Sequence, residues 1–328
     1  MTIAATNPAP APASLHTLHG ETMGTSWCVK LVESQRVDLH AVHAAIQTRL
    51  DRVVAQMSTW EADSDISRFN RSAADNWQTL PPEFFAVLSC AKETARESDG
   101  AYDPTIGALV DAWGFGPAQS GYRIPDEGEL ASARASLGWQ RVLLRSEDTR
   151  ALQPGGVQLD LSAIAKGYGV DLVAHHLRDR GVAAALIEVG GELYGFGRKP
   201  DGSAWQVLVE AVPDADTEED PACVIELDGI AVATSGDHWH AFEQDGTCYS
   251  HTLDPRIGKP VETAAAAVTV IADDAMHADA WATALTVMGA EAGYRFAQQR
   301  NIAARFVVRG DRGPIESMTD AFRAWLPG

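Results

Sequence analysis

QLDLSAIAKGYGVDLVAHHLRDRGVAAALIEVGGELYGFG, residues 158–197, decides how the chain is arranged. It opens on an alternating run, Leu159 and Leu161 apolar and Gln158 and Asp160 polar, the pattern of a strand end. Ser162 then stands at a helix-cap position, and Ile164, Tyr168, Leu172, Val173 and Leu177 recur at helical spacing. Gly181 falls where a left-handed cap closes a helix. Residues 184–189 read as a buried strand, broken by Gly190-Gly191. The order is strand, tight turn, helix, strand, glycine turn. Where strand meets helix, Asp160, the unpaired amides of a helix start around Ala163 and the first-turn Lys166 converge. Free amides and the helix dipole make such a start an anion site, and a lysine there points to phosphate. The same residues fit a capped core helix with a solvated lysine, and neither GxGxxG nor GxxxxGK[ST] is present to separate the two readings.

At 328 residues the chain is long for one compact core, so two lobes or one elaborated domain are expected. Hydrophobic residues at 45% and charged residues at 22% place it among soluble globular proteins. A formal net charge of −19 argues against general binding to nucleic acid or anionic membrane, which need basic surface. It also calls for a metal ion beside any bound phosphate. No window holds the ~18 unbroken apolar residues of a membrane span. Residues 1–18 read as a disordered Ala/Pro-rich tail, without the basic and apolar regions of a signal peptide. Cys28, Cys90, Cys223 and Cys248 lack CxxC spacing and read as isolated buried thiols. With no cysteine before Cys28 to carry a lipid, a reduced, cytoplasmic protein is expected.

Residues 24–31 alternate as a strand, and 41–57 carry Val42, Ile46, Leu50, Val53, Val54 and Met57 on one helical stripe. Trp60 lies in the polar loop 58–70, where an aromatic is usually a packing plug. Residues 82–98 form a helix with Pro82 at its start and Gly100 past its end. A short helix is expected from Asp126, and 139–144 with 157–161 read as paired strands. Beyond the central stretch, 205–210, 266–271 and 305–309 are strands, 213–221 an acidic surface loop and 276–288 a helix. Residues 223–227 and 229–234 resemble a hairpin around Asp228-Gly229. His175-His176 read as solvated. Hairpin-like strands with segregated helices give an α+β class, not a doubly wound sheet.

Asp279 and Thr283, four apart, share a helix face. Carboxylate with hydroxyl suits Mg²⁺, or else is a solvated Asp beside a Thr bonded to its own helix. His251, ahead of Asp254-Pro255, is a candidate general base or a hydrogen-bonded structural residue. His238 and His240 alternate on one strand face, but no third and fourth ligands for a soft metal accompany them. Chemistry alone stops at a soluble α+β protein with groups that could bind a phosphorylated ligand with Mg²⁺.

The segments Met23-Gly24-Thr25, Met57-Ser58-Thr59-Trp60, Ala101-Tyr102-Asp103-Pro104-Thr105-Ile106-Gly107, Asp160-Leu161-Ser162-Ala163-Ile164-Ala165-Lys166-Gly167-Tyr168, Gly190-Gly191-Glu192, His251-Thr252-Leu253-Asp254-Pro255-Arg256-Ile257-Gly258 and Ala278-Asp279-Ala280-Trp281-Ala282-Thr283-Ala284-Leu285 together resemble the ApbE family, the FAD:protein FMN transferases. The resemblance spans residues 22–289 in the family's order. It implies an α+β fold with T-fold-like antiparallel sheets, Mg²⁺, and FAD as substrate. FMN would pass through its phosphate to a Thr or Ser of a target flavoprotein, with AMP released. By the same resemblance Met23, Trp60, Ala101, Tyr102, Asp103 and Asp160 match flavin-nucleotide positions, and Lys166 a position next to the ligand. The Ala163 carbonyl, Asp279 and Thr283 match the metal positions, and His251 the base for the target hydroxyl. Thr252 matches a neighbouring substrate contact that is commonly apolar, and Trp60 stands where Tyr is common, which keeps a stacking surface but loses a hydroxyl. Two alternatives use the same groups: an FAD pyrophosphatase giving FMN and AMP, and a non-catalytic FAD-binding protein. Asp279, Thr283 and His251 argue against the second, since binding alone needs no base beside the pyrophosphate.

Overall fold

Alternating apolar positions along Thr25–Glu33 bury Trp27, Val29 and Leu31 on one face, and that strand belongs to an eight-stranded sheet. The computed structural model describes residues 14–33, 38–117, 121–209, 223–236, 241–244, 246–261, 266–310 and 313–326. The sheet runs in chain order through Ser14–Thr22, Thr25–Glu33, Ala185–Val189, Glu192–Phe196, Ile230–Gly236, Ala267–Ala272, Ala303–Gly310 and Gly313–Met318. Every neighbouring pair is antiparallel, as the α+β reading expects. Between Thr25–Glu33 and Ala185–Val189 the chain makes one long excursion, yet the two strands pair directly, Trp27 opposite Val189.

Helices Leu39–Met57, Ala165–Asp179, Ala275–Met288 and Ala290–Gln299 pack on one face of the sheet around Trp27, Ile46, Leu50, Val170, Ile187 and Phe306. Each such fully buried Leu, Ile or Val contributes roughly 1.5–3 kcal/mol relative to exposure. The hairpin Trp205–Val209 with Cys223–Leu227, and Phe322, cover the other face. The excursion builds a second core from Asp65–Asn70, Pro82–Glu97 and a three-stranded sheet, centred on Phe69, Phe84, Leu88 and Leu159. Ala165–Asp179 and Ala275–Met288 divide the two cores. The first turns Val170, Val173 and Leu177 to the large sheet and Ala165, Tyr168 and Leu172 to the second core. The second turns Ala278, Ala282 and Leu285 one way and Ala280 and Ala284 the other. A helix apolar on both sides is one buried on both sides.

The helix ends follow local chemistry. Gly181, at φ 78°, lets Val182 N–H reach Leu177 C=O at 3.0 Å and Gly181 N–H reach Arg178 C=O at 2.9 Å, the double bond of a left-handed cap. Asp126 and Glu129 form a reciprocal capping box on Glu127–Ala135.

Several expectations are corrected. Residues 14–18 are not tail: they pair along Thr25–Glu33 from Leu18 opposite Val29 to Ser14 opposite Glu33. Residues 139–144 and 157–161 do not pair; Trp139–Arg141 is a 3-10 turn, Leu144–Arg145 pairs with Arg150–Gln153, and Gln158 makes only a parallel bridge to Ile106. Cys223–Leu227 and Ile230–Gly236 are not a hairpin, because each takes another partner, Trp205–Val209 for the first and two strands of the large sheet for the second. Ser162 does not cap: the helix starts at Ala165 after a turn. His176 is buried, with its pKa lowered by burial and by Arg49 and Arg180. Cys28, Cys90 and Cys223 are half-buried and Cys248 is exposed, so none is the buried thiol expected, and all four are free. The acidic loop, His238 and His240 lie outside the described residues. No helix among the described residues is long and apolar enough to cross a membrane.

Candidate active site

The start of Ala165–Asp179 is occupied from within the protein. Asp279 Oδ2 accepts the Gly167 N–H at 3.1 Å, so a carboxylate from the neighbouring helix takes the place expected for an external anion. Such proximity requires a glycine: a Cβ on Gly167 would lie 2.9 Å from Asp279 Cβ. Lys166 Nζ meets Glu192 Oε1 at 2.7 Å, and the glutamate side chain is only 3% exposed. Burial pushes Glu192 up to about 8, with Asp279 adding to the rise and Lys166 opposing it. Asp279 is likewise raised by burial, against the pull of Lys166 and the Gly167 amide. Burial lowers Lys166, but Glu192 and Asp279 outweigh it and hold the ammonium above its ordinary value. Two buried carboxylates therefore share one cation, and Glu192 Oε2 has no hydrogen-bond partner among the described residues.

The hairpin joining the first two strands leans over this cluster. Met23 and Gly24 form its two-residue turn at φ 49° and 71°, and Met23 packs on both cores. A Cβ on Gly190 would come within 2.8 Å of Thr25 Cγ2 and 3.1 Å of Lys166 Cδ, so the Gly-Gly-Glu turn closes against both. Ala101 and Tyr102 are buried, and the Tyr102 hydroxyl is unpartnered among the described residues. Burial raises Tyr102 well above its ordinary value, and Asp279, Cys90, Asp160 and Asp103 add to the rise.

Asp103 and Asp160 are partly spent on their own turns. Asp103 Oδ1 accepts from Thr105 N–H at 2.8 Å and Thr105 Oγ1 at 2.6 Å, while burial raises its pKa. Asp160 Oδ1 accepts from Ser162 N–H at 2.8 Å. Asp160 also lines a polar cleft of about 150 Å³ with Thr59, Ser67, Asn70 and Arg71. Trp60, 66% exposed beside this cleft's Thr59, is not the packing plug that its loop suggested.

His251 belongs to a second neighbourhood. Its ring stands edge-on to Phe115 at 6.4 Å, next to a run of aromatic contacts through Tyr122, Phe242 and Tyr249. Thr252 is 6% exposed, its N–H donating to Ser250 Oγ at 3.1 Å. The rigid turn that follows is held by Asp254, which takes both the backbone and guanidinium of Arg256.

The oxygen donors fit a hard divalent cation. Asp279, Thr283 and the Ala163 carbonyl would be its ligands, and the excess carboxylate with its unpaired Glu192 Oε2 is the charge it would offset. Thr283 is not the back-bonded threonine of its helix; that is Thr286, whose Oγ1 donates to Ala282 C=O at 2.8 Å. No group of three His, Cys, Asp or Glu of metal-holding geometry occurs among the described residues, and this set needs only one carboxylate. Two carboxylates had no role in the sequence reading, where Glu192 entered only within the Gly190-Gly191-Glu192 segment. Glu192 and Asp171 each sit singly in an apolar run, and only the burial of a charge at a core position marks them.

The comparisons fit this geometry. A profile of the ApbE family matches residues 23–306. The chain belongs to the ApbE family. It is similar to an FAD:protein FMN transferase of Vibrio cholerae, 35% identical over 96% of this chain and 94% of that one, and to one of Haemophilus influenzae, 33% identical over 93% and 90%. Among solved structures, Pseudomonas stutzeri flavinyl transferase ApbE in its apo form superposes with a TM-score of 0.89 at 37% identity, covering 98% of this chain and 99% of that chain. The flavin transferase ApbE from Vibrio cholerae gives a TM-score of 0.88 at 34% identity, over 96% and 100%.

Proposed function

We propose that this protein transfers FMN from FAD to a Thr or Ser hydroxyl of a target flavoprotein, with Mg²⁺. The hydroxyl oxygen attacks the phosphorus on the FMN side of the pyrophosphate. A phosphoester bond forms as the bond to the AMP phosphate breaks, the hydroxyl proton passes to His251, and AMP leaves. The cluster of half-buried Lys166 with buried Glu192 and Asp279 carries this reading, because phosphoryl transfer needs charge placed beside the phosphates more than covalent help. Bound Mg²⁺ would neutralise phosphate charge there. Lys166, held by Glu192, offers a fixed ammonium; the exposed Trp60 offers a flat ring for a planar ligand. The aromatic surface beside His251 would exclude water from the attacking hydroxyl.

The test is mass spectrometry of a candidate flavoprotein incubated with the protein, FAD and Mg²⁺, with EDTA as control. A Mg²⁺-dependent FMN phosphoryl adduct with AMP in solution is expected. Free FMN and AMP without an adduct would make the protein a pyrophosphatase, and intact FAD with every acceptor would make it a flavin-binding protein.

A further inference from the structure

We propose that Asp171 is a positioning residue for the candidate metal centre, fixing where the Ala275–Met288 helix presents Asp279. Its Oδ1 accepts the Ala275 N–H at 2.8 Å and its Oδ2 the Met276 N–H at 2.9 Å. In return, Asp279 Oδ2 accepts the Gly167 N–H of the helix that carries Asp171. Each helix thus caps the first turn of the other, through carboxylates that are both buried. Asp274 takes the next free amide, His277 N–H, at 2.8 Å, so the first turn of Ala275–Met288 is held on two sides. Asp274 is the local N-cap and would suffice for helix formation. What Asp171 adds is register between two helices. One of its carboxylate oxygens bonds each of two consecutive amides, so sliding or rotating one helix against the other breaks a bond. The same constraint holds Asp279, whose Oδ2 is bonded to the Gly167 N–H.

The inference rests on Asp279 as a metal ligand, and the experiment separates the two. Mn²⁺ is titrated into metal-free wild type, Asp171→Asn and Asp279→Asn, free Mn²⁺ being read by electron paramagnetic resonance, with thermal melts of each protein without metal. Asn keeps the volume of Asp171 but has one acceptor oxygen, so one of the two amides loses its partner. Asp171→Asn should bind Mn²⁺ about tenfold or more weakly, the scale of outer residues that orient a ligand. A lowered melting temperature with wild-type Mn²⁺ affinity would make Asp171 merely structural and overturn the inference. If wild type binds no Mn²⁺, or Asp279→Asn binds as wild type, the metal assignment falls and the inference with it. Should Asp171→Asn not fold, amide exchange on wild type decides: Mg²⁺ should slow Ala275, Met276 and Gly167 together, and unchanged exchange at these amides would overturn it.

Discussion

Gly167 and Ala275 approach so closely that a Cβ on the glycine would lie 2.2 Å from the Ala275 carbonyl oxygen. That oxygen is backbone and cannot swing aside, so Gly167→Ala must push two helices apart. A net loss of about 1–3 kcal/mol is expected, despite the better helix propensity of alanine. Urea unfolding checks this; a variant as stable as wild type would mean that the helices yield freely.

Lys166 is hydrogen-bonded to the buried Glu192 and is also stabilised by the charge of the buried Asp279, which makes its removal costly and conditional. Lys166→Met should lose about 1–3 kcal/mol, because the buried Glu192 loses its hydrogen-bonded partner. Adding Glu192→Gln should recover part of that loss, giving a coupling above ~1 kcal/mol in a double-mutant cycle. Strict additivity would show that the three groups do not act as a unit.

Burial raises the carboxyl of Asp171 to about 7, although the Ala275 and Met276 amides pull it down. The folded protein then holds a proton that the unfolded chain releases. This contribution is full below the unfolded value of ~3.9 and is lost as pH rises through about 7. Metal-free protein should lose stability across that window at up to ~1.4 kcal/mol per pH unit. Asp171→Asn should flatten the profile, as read by denaturation at a series of pH values, and an unchanged slope would assign the dependence to other groups.

His251→Ala should keep FAD binding, followed by flavin fluorescence, while FMN transfer falls by about 10²–10⁴-fold. Full transfer by this variant would remove His251 from the chemistry.

Asp279→Asn separates two duties of one side chain. The amide oxygen can still accept the Gly167 N–H, so the cap survives and metal-free protein should still fold, while the Mg²⁺ needed for half-maximal transfer should rise by tenfold or more. Unchanged Mg²⁺ dependence would place the ion elsewhere.

The helices were legible because each carries its own period and stop signal, as in the run from Ile164 to Leu177 closed by Gly181. Strand partners were less so. Asp228-Gly229 has the local chemistry of a hairpin turn, but Gly197 N–H donates to Asp228 and Gly229 N–H to Gly195 C=O, so the turn serves a crossing between sheets. Local preference lost to tertiary pairing. The site was legible as a set of segments, but not its internal wiring. Nothing near Asp171 in sequence indicates that its partners are Ala275 and Met276, or that Lys166 answers to Glu192.

The pairing of Trp27 with Val189 across the long excursion also has a kinetic consequence. Strands from Ile230 to Met318 meet neighbours close in sequence, and that half of the sheet can zip locally. The first hairpin must wait until the intervening chain has collapsed, because closing so large a loop is paid in entropy before any contact rewards it. Pulse-labelled exchange during refolding should find Val268 and Phe306 protected before Val29 and Ile187. Until then the open side of Thr25–Glu33 is an unpaired edge, and the protein is most prone to aggregate while the hairpin bearing Met23 is still unattached.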